Sequence, residues 1–151
     1  MGGEEREGGE VGCALAGGCH CGGVRFRLRA PRHLVIWSCN CSICRMKRND
    51  HFVVPKRDFV LESPADLDEL GLYRFGSRQA LHYFCRTCGI CAFYQPRSNP
   101  DGWAVTYGCL DKDSRGHDAR GAAFRRRKLG GEHPGEQYRG HVESGLKMRN
   151  V

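Results

Sequence analysis

The stretch Cys39-Asn-Cys-Ser-Ile-Cys44 places three thiols within six residues. Upstream stands Cys19-His-Cys21 and downstream Cys85-Arg-Thr-Cys88. Thiolates are soft ligands that hold zinc at about 2.3 Å, and cysteines clustered this way suit ligation better than packing. Four thiolates close a tetrahedral site, whereas three leave a position open for water or substrate. The seven cysteines therefore divide into a set of four (Cys19, Cys21, Cys85, Cys88), expected to share a structural zinc, and a set of three (Cys39, Cys41, Cys44). For the second set a fourth ligand could come from His51, Cys91 or Cys109 and make another structural site. Against this, Cys91 falls in an apparent strand, where its side chain packs, and Cys109 reads as a small buried hydrophobe. His20 lies between two ligands that already fill the simple geometry. The plainer alternative, reduced core cysteines, would need neither the spacing nor the glycines that follow Cys21 and Cys88.

Around these clusters the chain reads as short strands. Val24-Arg-Phe-Arg-Leu-Arg29 alternates apolar and basic residues, the pattern of a half-buried strand with Val24, Phe26 and Leu28 inward. Leu34-Val-Ile-Trp-Ser38 is a short apolar run that fits a buried strand ending at the Cys39 cluster. Phe52-Val-Val54, Phe59-Val-Leu61, Leu72-Tyr-Arg-Phe75, Ala80-Leu-His-Tyr-Phe84 and Trp103-Ala-Val-Thr-Tyr107 read as further strands, and Phe84-Cys-Arg-Thr-Cys-Gly89 as a knuckle entering another. Asp66-Leu-Asp-Glu-Leu70 allows one helical turn. His82 alternates with Leu81 and Tyr83 and is expected to face outward. The fold class is thus mainly β.

Composition separates a folded middle from looser ends. Of 21 glycines, nine precede residue 24, seven follow residue 115, and five serve everything between. Residues 1–16 are Gly- and Glu-rich (net −3) and read as a disordered leader that includes Cys13. Residues 17–111 carry +5 and form the expected domain; residues 112–151 carry another +5 without a sustained apolar period and read as a basic, mostly disordered tail. Seven thiolates with two Zn²⁺ would bring the middle to about +2, so the basic pI is weak evidence for nucleic acid. No apolar run approaches the 18 or so residues of a membrane span, and no secretory signal is evident. Ten cysteines without one point to a reducing, intracellular compartment. Arg125-Arg-Arg-Lys128 could pass for a nuclear signal, though such runs are frequent, and the expected location is nucleus, cytoplasm or both.

Gly18-Cys-His-Cys-Gly-Gly-Val-Arg25, Cys39-x-Cys-x-x-Cys-Arg45, Phe84-Cys-x-x-Cys-Gly89 and Gly108-x-Leu-Asp111 occur together in one order. In these motifs the chain resembles the glutathione-dependent formaldehyde-activating enzyme family and, within it, the animal branch of centromere protein V-like proteins. The resemblance covers residues 17–111. It implies an Mss4-like fold of short antiparallel sheets organised around zinc, with two Zn²⁺ per chain. One would be structural, on Cys19, Cys21, Cys85 and Cys88; the other would be of catalytic type, on Cys39, Cys41 and Cys44. It further implies carbon–sulfur lyase chemistry, in which glutathione or another small thiol meets formaldehyde to give S-hydroxymethylglutathione. The animal branch implies instead a non-enzymatic zinc module that binds chromatin, microtubules or protein partners through its basic surface and tail. Arg45, Lys47 and Arg48 would partly offset the charge of three thiolates and could attract an anionic thiol. No general base stands near the triplet in the sequence, and nothing in it fixes the oligomeric state.

Overall fold

A computed structural model of the chain describes residues 12–31, 34–39 and 41–111, together with the backbone of 124–128. Among the described residues, ten strands and one short α-helix follow in order: β1 (Cys13–Gly18), β2 (Arg25–Ala30), β3 (Leu34–Ser38), α1 (Ser42–Lys47), β4 (His51–Pro55), β5 (Phe59–Ser63), β6 (Gly71–Tyr73), β7 (Leu81–Phe84), β8 (Phe93–Gln95), β9 (Gly102–Thr106) and β10 (Phe124–Lys128). They form a three-stranded sheet, β1-β2-β5, and a seven-stranded sheet, β10-β3-β4-β9-β8-β7-β6. Every pairing is antiparallel except β10 with β3. The mainly antiparallel β class expected from the sequence is the class that forms.

Strand alternation assigns the large sheet two buried faces, because successive side chains point to opposite sides. Leu34, Ile36, Phe52, Val54, Phe93, Trp103 and Val105 meet Phe26, Leu28 and Phe59 of the small sheet in the main core. Its centre is aromatic: Phe59 and Phe93 lie 4.9 Å apart between ring centroids, Phe93 and Trp103 5.1 Å, and Phe26 and Phe59 5.3 Å. Truncating a fully buried Phe in such a cluster costs about 3–5 kcal/mol, since the cavity closes only in part. The intervening residues Val35, Trp37, Val53, Tyr94 and Ala104 face the other way and pack with Cys39, Cys41 and Cys44 in a second core. Burial on both faces is why Leu34–Trp37 is apolar throughout. The cysteine triplet is thus part of a packed layer.

Four expectations change. Cys13 and its neighbours, placed in a disordered leader, form β1, paired with β2 from Cys13↔Ala30 to Gly18↔Arg25. The backbone ladder supplies that order where the segment lacks a period of its own. Phe124–Lys128, placed in the unstructured tail, runs parallel to β3 from Phe124↔Leu34 to Lys128↔Ser38; the remainder of 112–151 lies outside the described residues. Residues 42–47, not foreseen as helical, make one short helix that ends at Arg48 in the left-handed region (φ 53°). His82 faces inward and is fully buried, because the second core covers the sheet face that alternation alone would leave to solvent.

The ends of the domain are tied by contacts remote in sequence. Asp111 receives two hydrogen bonds from the Arg25 guanidinium, at 2.9 and 2.6 Å, and its backbone N–H donates to the Ala16 carbonyl at 2.9 Å. Gly17 bridges to Leu110, where an added Cβ would stand 2.4 Å from the Cys109 carbonyl oxygen. Among the described residues no helix is long and apolar enough to cross a membrane.

Candidate metal centres

Two cysteine-bearing turns meet at the first cluster. Gly22 (φ 82°) and Gly89 (φ 78°) occupy the left-handed region, which a side chain adopts at a cost, and so let each chain fold back on its cysteines. Backbone N–H groups then point at sulfur: Val24 to Cys19 at 3.1 Å, Gly23 to Cys21 at 3.4 Å and Thr87 to Cys85 at 3.4 Å. The Sγ atoms of Cys19, Cys21, Cys85 and Cys88 all lie within 4.8 Å of one another. Two of these separations, Cys19–Cys21 and Cys21–Cys85, are 3.6 Å. A tetrahedral ion with 2.3 Å bonds spaces its sulfurs by about 3.8 Å, so this set fits a closed four-thiolate site. Backbone donation lowers the Cys88 thiol to about 6.

Cys39, Cys41 and Cys44 come together where β3 ends and α1 begins. The helix turn spaces Cys41 and Cys44 on one side, with the Arg45 N–H donating to the Cys41 carbonyl at 3.0 Å. Cys39 folds back so that the Cys41 N–H meets its sulfur at 3.5 Å. The three Sγ atoms share the same 4.8 Å limit, and all three residues are buried. Buried thiols this close cannot ionise together without a cation. Cys39 and Cys44 donate to Cys41, holding it well below the thiol range, while Cys39 and Cys44 are themselves pushed up. The set is therefore matched chemically to a soft divalent ion. Among the described residues no fourth Cys, His, Asp or Glu atom joins this group.

The candidates for that fourth place sit elsewhere. His51 is fully buried beside the triplet, but its Nδ1 is 3.0 Å from the Asn49 carbonyl and its Nε2 is 3.3 Å from the Tyr94 hydroxyl. Cys91 packs against the second core ahead of β8, not inside a strand, and its thiol donates to the Phe93 carbonyl at 3.6 Å. Cys109 packs against the main core, and His20 is exposed. The Tyr94 hydroxyl, 3.8 Å from the Cys44 sulfur, lies between that thiol and His51. Of the basic residues on α1, Lys47 acts electrostatically on Cys91 and on His82.

Sequence reasoning missed Tyr94 and His82. Tyr94 reads as one more strand aromatic, and His82 as an outward polar residue. The row Val53, Ala104, Tyr94, His82 across β4, β9, β8 and β7 becomes visible only from cross-strand register.

The family model described as glutathione-dependent formaldehyde-activating enzyme matches residues 14–126, reaching from β1 into β10. A Halomonas elongata protein provisionally named a glutathione-dependent formaldehyde-activating enzyme is 55% identical, over 55% of this chain and 57% of that protein. The chain therefore spans little more than half the length of this curated relative. A crystal structure of a Rhodobacter sphaeroides protein superposes with a TM-score of 0.58 at 32% identity, covering 73% of this chain and 99% of that one. With three-quarters of its length matched by the family model, the chain belongs to the glutathione-dependent formaldehyde-activating enzyme family.

Proposed function

We propose that the chain is a zinc-dependent carbon–sulfur lyase that joins glutathione and formaldehyde into S-hydroxymethylglutathione, or handles a related thiol–aldehyde adduct. The observation that carries this reading is the buried set Cys39, Cys41 and Cys44, whose three sulfurs converge with no fourth protein ligand among the described residues. Zn²⁺ held there would lower the pKa of an incoming thiol and keep it as the thiolate.

The chain's own residues divide the remaining work. The second core excludes water from the triplet, which strengthens the interactions inside it. Tyr94 holds His51 by its Nε2 and so keeps that imidazole from closing the open position. Lys47, with Arg45 in the same last turn of α1, places positive charge beside a site of three thiolates and suits an anionic thiol. Cys19, Cys21, Cys85 and Cys88 would hold a second, structural Zn²⁺. That ion would join the turn before β2 to the turn after β7.

The test is NMR exchange between glutathione and its hydroxymethyl adduct, catalysed by the zinc-loaded native chain and by Cys41→Ser. Exchange should slow at least tenfold in the variant, with native mass spectrometry showing two zincs in the native chain and one in Cys41→Ser. Equal exchange in the two would remove the lyase reading and leave a zinc module without this chemistry.

A further inference from the structure

His82 is the one buried ionisable side chain on the triplet's side of the sheet whose hydrogen-bonding capacity the described residues leave unused. Its exposure is 0%, and neither Nδ1 nor Nε2 has a hydrogen-bond partner among them. An unpaired buried polar group costs about 1–3 kcal/mol. A packing role would be filled more stably by phenylalanine.

The ring is nonetheless held firmly. One face stacks on Tyr94 at 4.8 Å and 14°, and Phe75 lies 5.6 Å away at 30°. His82 and Tyr94 are direct cross-strand partners, so their side chains rise from the same face. The Tyr94 hydroxyl in turn stands 3.8 Å from the Cys44 sulfur. Cys41, Lys47 and His51 are near enough to act on His82 electrostatically. A rigid imidazole with two free nitrogens therefore sits one ring away from the thiol triplet.

We propose that His82 is a catalytic residue that contacts the oxygen of the aldehyde or hydroxymethyl group in the triplet's site; this rests on the lyase reading of that site. In the forming direction the thiol, on becoming the thiolate, passes its proton to the unprotonated ring nitrogen of His82. The sulfur–carbon bond forms as the carbonyl π pair moves to oxygen, and that oxygen takes the proton from the His82 N–H. The proton lost by the thiol restores His82, so thiol and aldehyde add without any other reactant. The reverse step breaks the sulfur–carbon bond as His82 takes the hydroxyl proton. A neutral imidazole carries both the donor and the acceptor this requires. Burial, the main cause, lowers its pKa to about 4 and keeps it neutral near pH 7.

The experiment uses the full zinc-loaded chain with ¹⁵N-labelled histidine. Adding glutathione and formaldehyde should shift the His82 ring nitrogens, and His82→Phe should keep both zincs and an unchanged or higher melting temperature. Its adduct exchange should be slower by about 10²–10⁴-fold, the usual contribution of general acid–base catalysis. If Cys41→Ser abolishes exchange while His82→Phe matches the native rate, the His82 assignment falls and the lyase reading stands. Ring nitrogens that do not respond to substrate in the native chain overturn the assignment without recourse to any variant. Equal exchange by the native chain and Cys41→Ser overturns both.

Discussion

Replacing Tyr94 by phenylalanine removes one oxygen from the junction between the cysteine triplet and His51. That hydroxyl is 3.3 Å from His51 Nε2 and 3.8 Å from Cys44 Sγ, and both Tyr94 and His51 are completely buried. His51 Nδ1 is engaged by the Asn49 carbonyl, and the Tyr94 hydroxyl meets the ring on its other nitrogen. The variant thus takes a hydrogen-bond partner from a buried nitrogen, at about 1–3 kcal/mol. For a domain of this size 1 kcal/mol moves the melting temperature by about 4 °C, so a fall of about 4–12 °C is expected by calorimetry. The double variant Tyr94→Phe/His51→Phe removes both partners and should recover part of the loss, giving a favourable coupling energy of about 0.5–3 kcal/mol. A single variant that melts within 1 °C or so of the native chain, or a double variant whose losses simply add, would falsify the view that Tyr94 restrains His51.

Three further outcomes follow from the geometry. Cys88→Ser removes one thiol of the four that would hold the structural zinc; it should lose one zinc by mass spectrometry and most of the cooperative unfolding transition, because structural zinc sites contribute about 10–16 kcal/mol of apparent binding energy at pH 7. Gly71→Ala puts a Cβ 2.2 Å from the Phe84 ring and should cost about 1–3 kcal/mol in denaturant midpoint, whereas Gly76→Ala would meet no atom within 4 Å and be limited by its positive φ alone. His51 and His82 are each lowered by burial to about 4, beneath the unfolded value of about 6.5. The unfolded chain therefore takes up their protons first: stability is full above about pH 6.5 and declines as pH falls toward 4. His82→Phe should flatten this decline by up to one proton per unfolding event, read from melting temperature against pH; an unaltered slope would contradict the neutral, buried histidine.

Much of the architecture is legible in order along the chain. The alternation of Val24–Arg29 marks β2 because one of its faces meets the core, and the continuous apolar run Leu34–Trp37 marks a strand covered on both sides. The two cysteine sets are legible for a related reason: ligation demands a residue type, a short spacing and a glycine turn, all local properties. Elements without a local signature stay hidden. The strand β1 owes its order to pairing with β2, and β10 owes its order to β3.

Sequence by itself determined which thiols could bind metal and that short antiparallel strands would present them. Tertiary structure alone decided which other side chains face the triplet. His82 looked outward because its neighbours alternate inward, and only the second core, built from strands far apart in the chain, places it behind Tyr94. His51 reads as one possible fourth ligand, yet its Nε2 meets the Tyr94 hydroxyl, 43 residues away. Period and spacing report what a segment asks of its surroundings; register between strands, a long-range property, decides which residue answers.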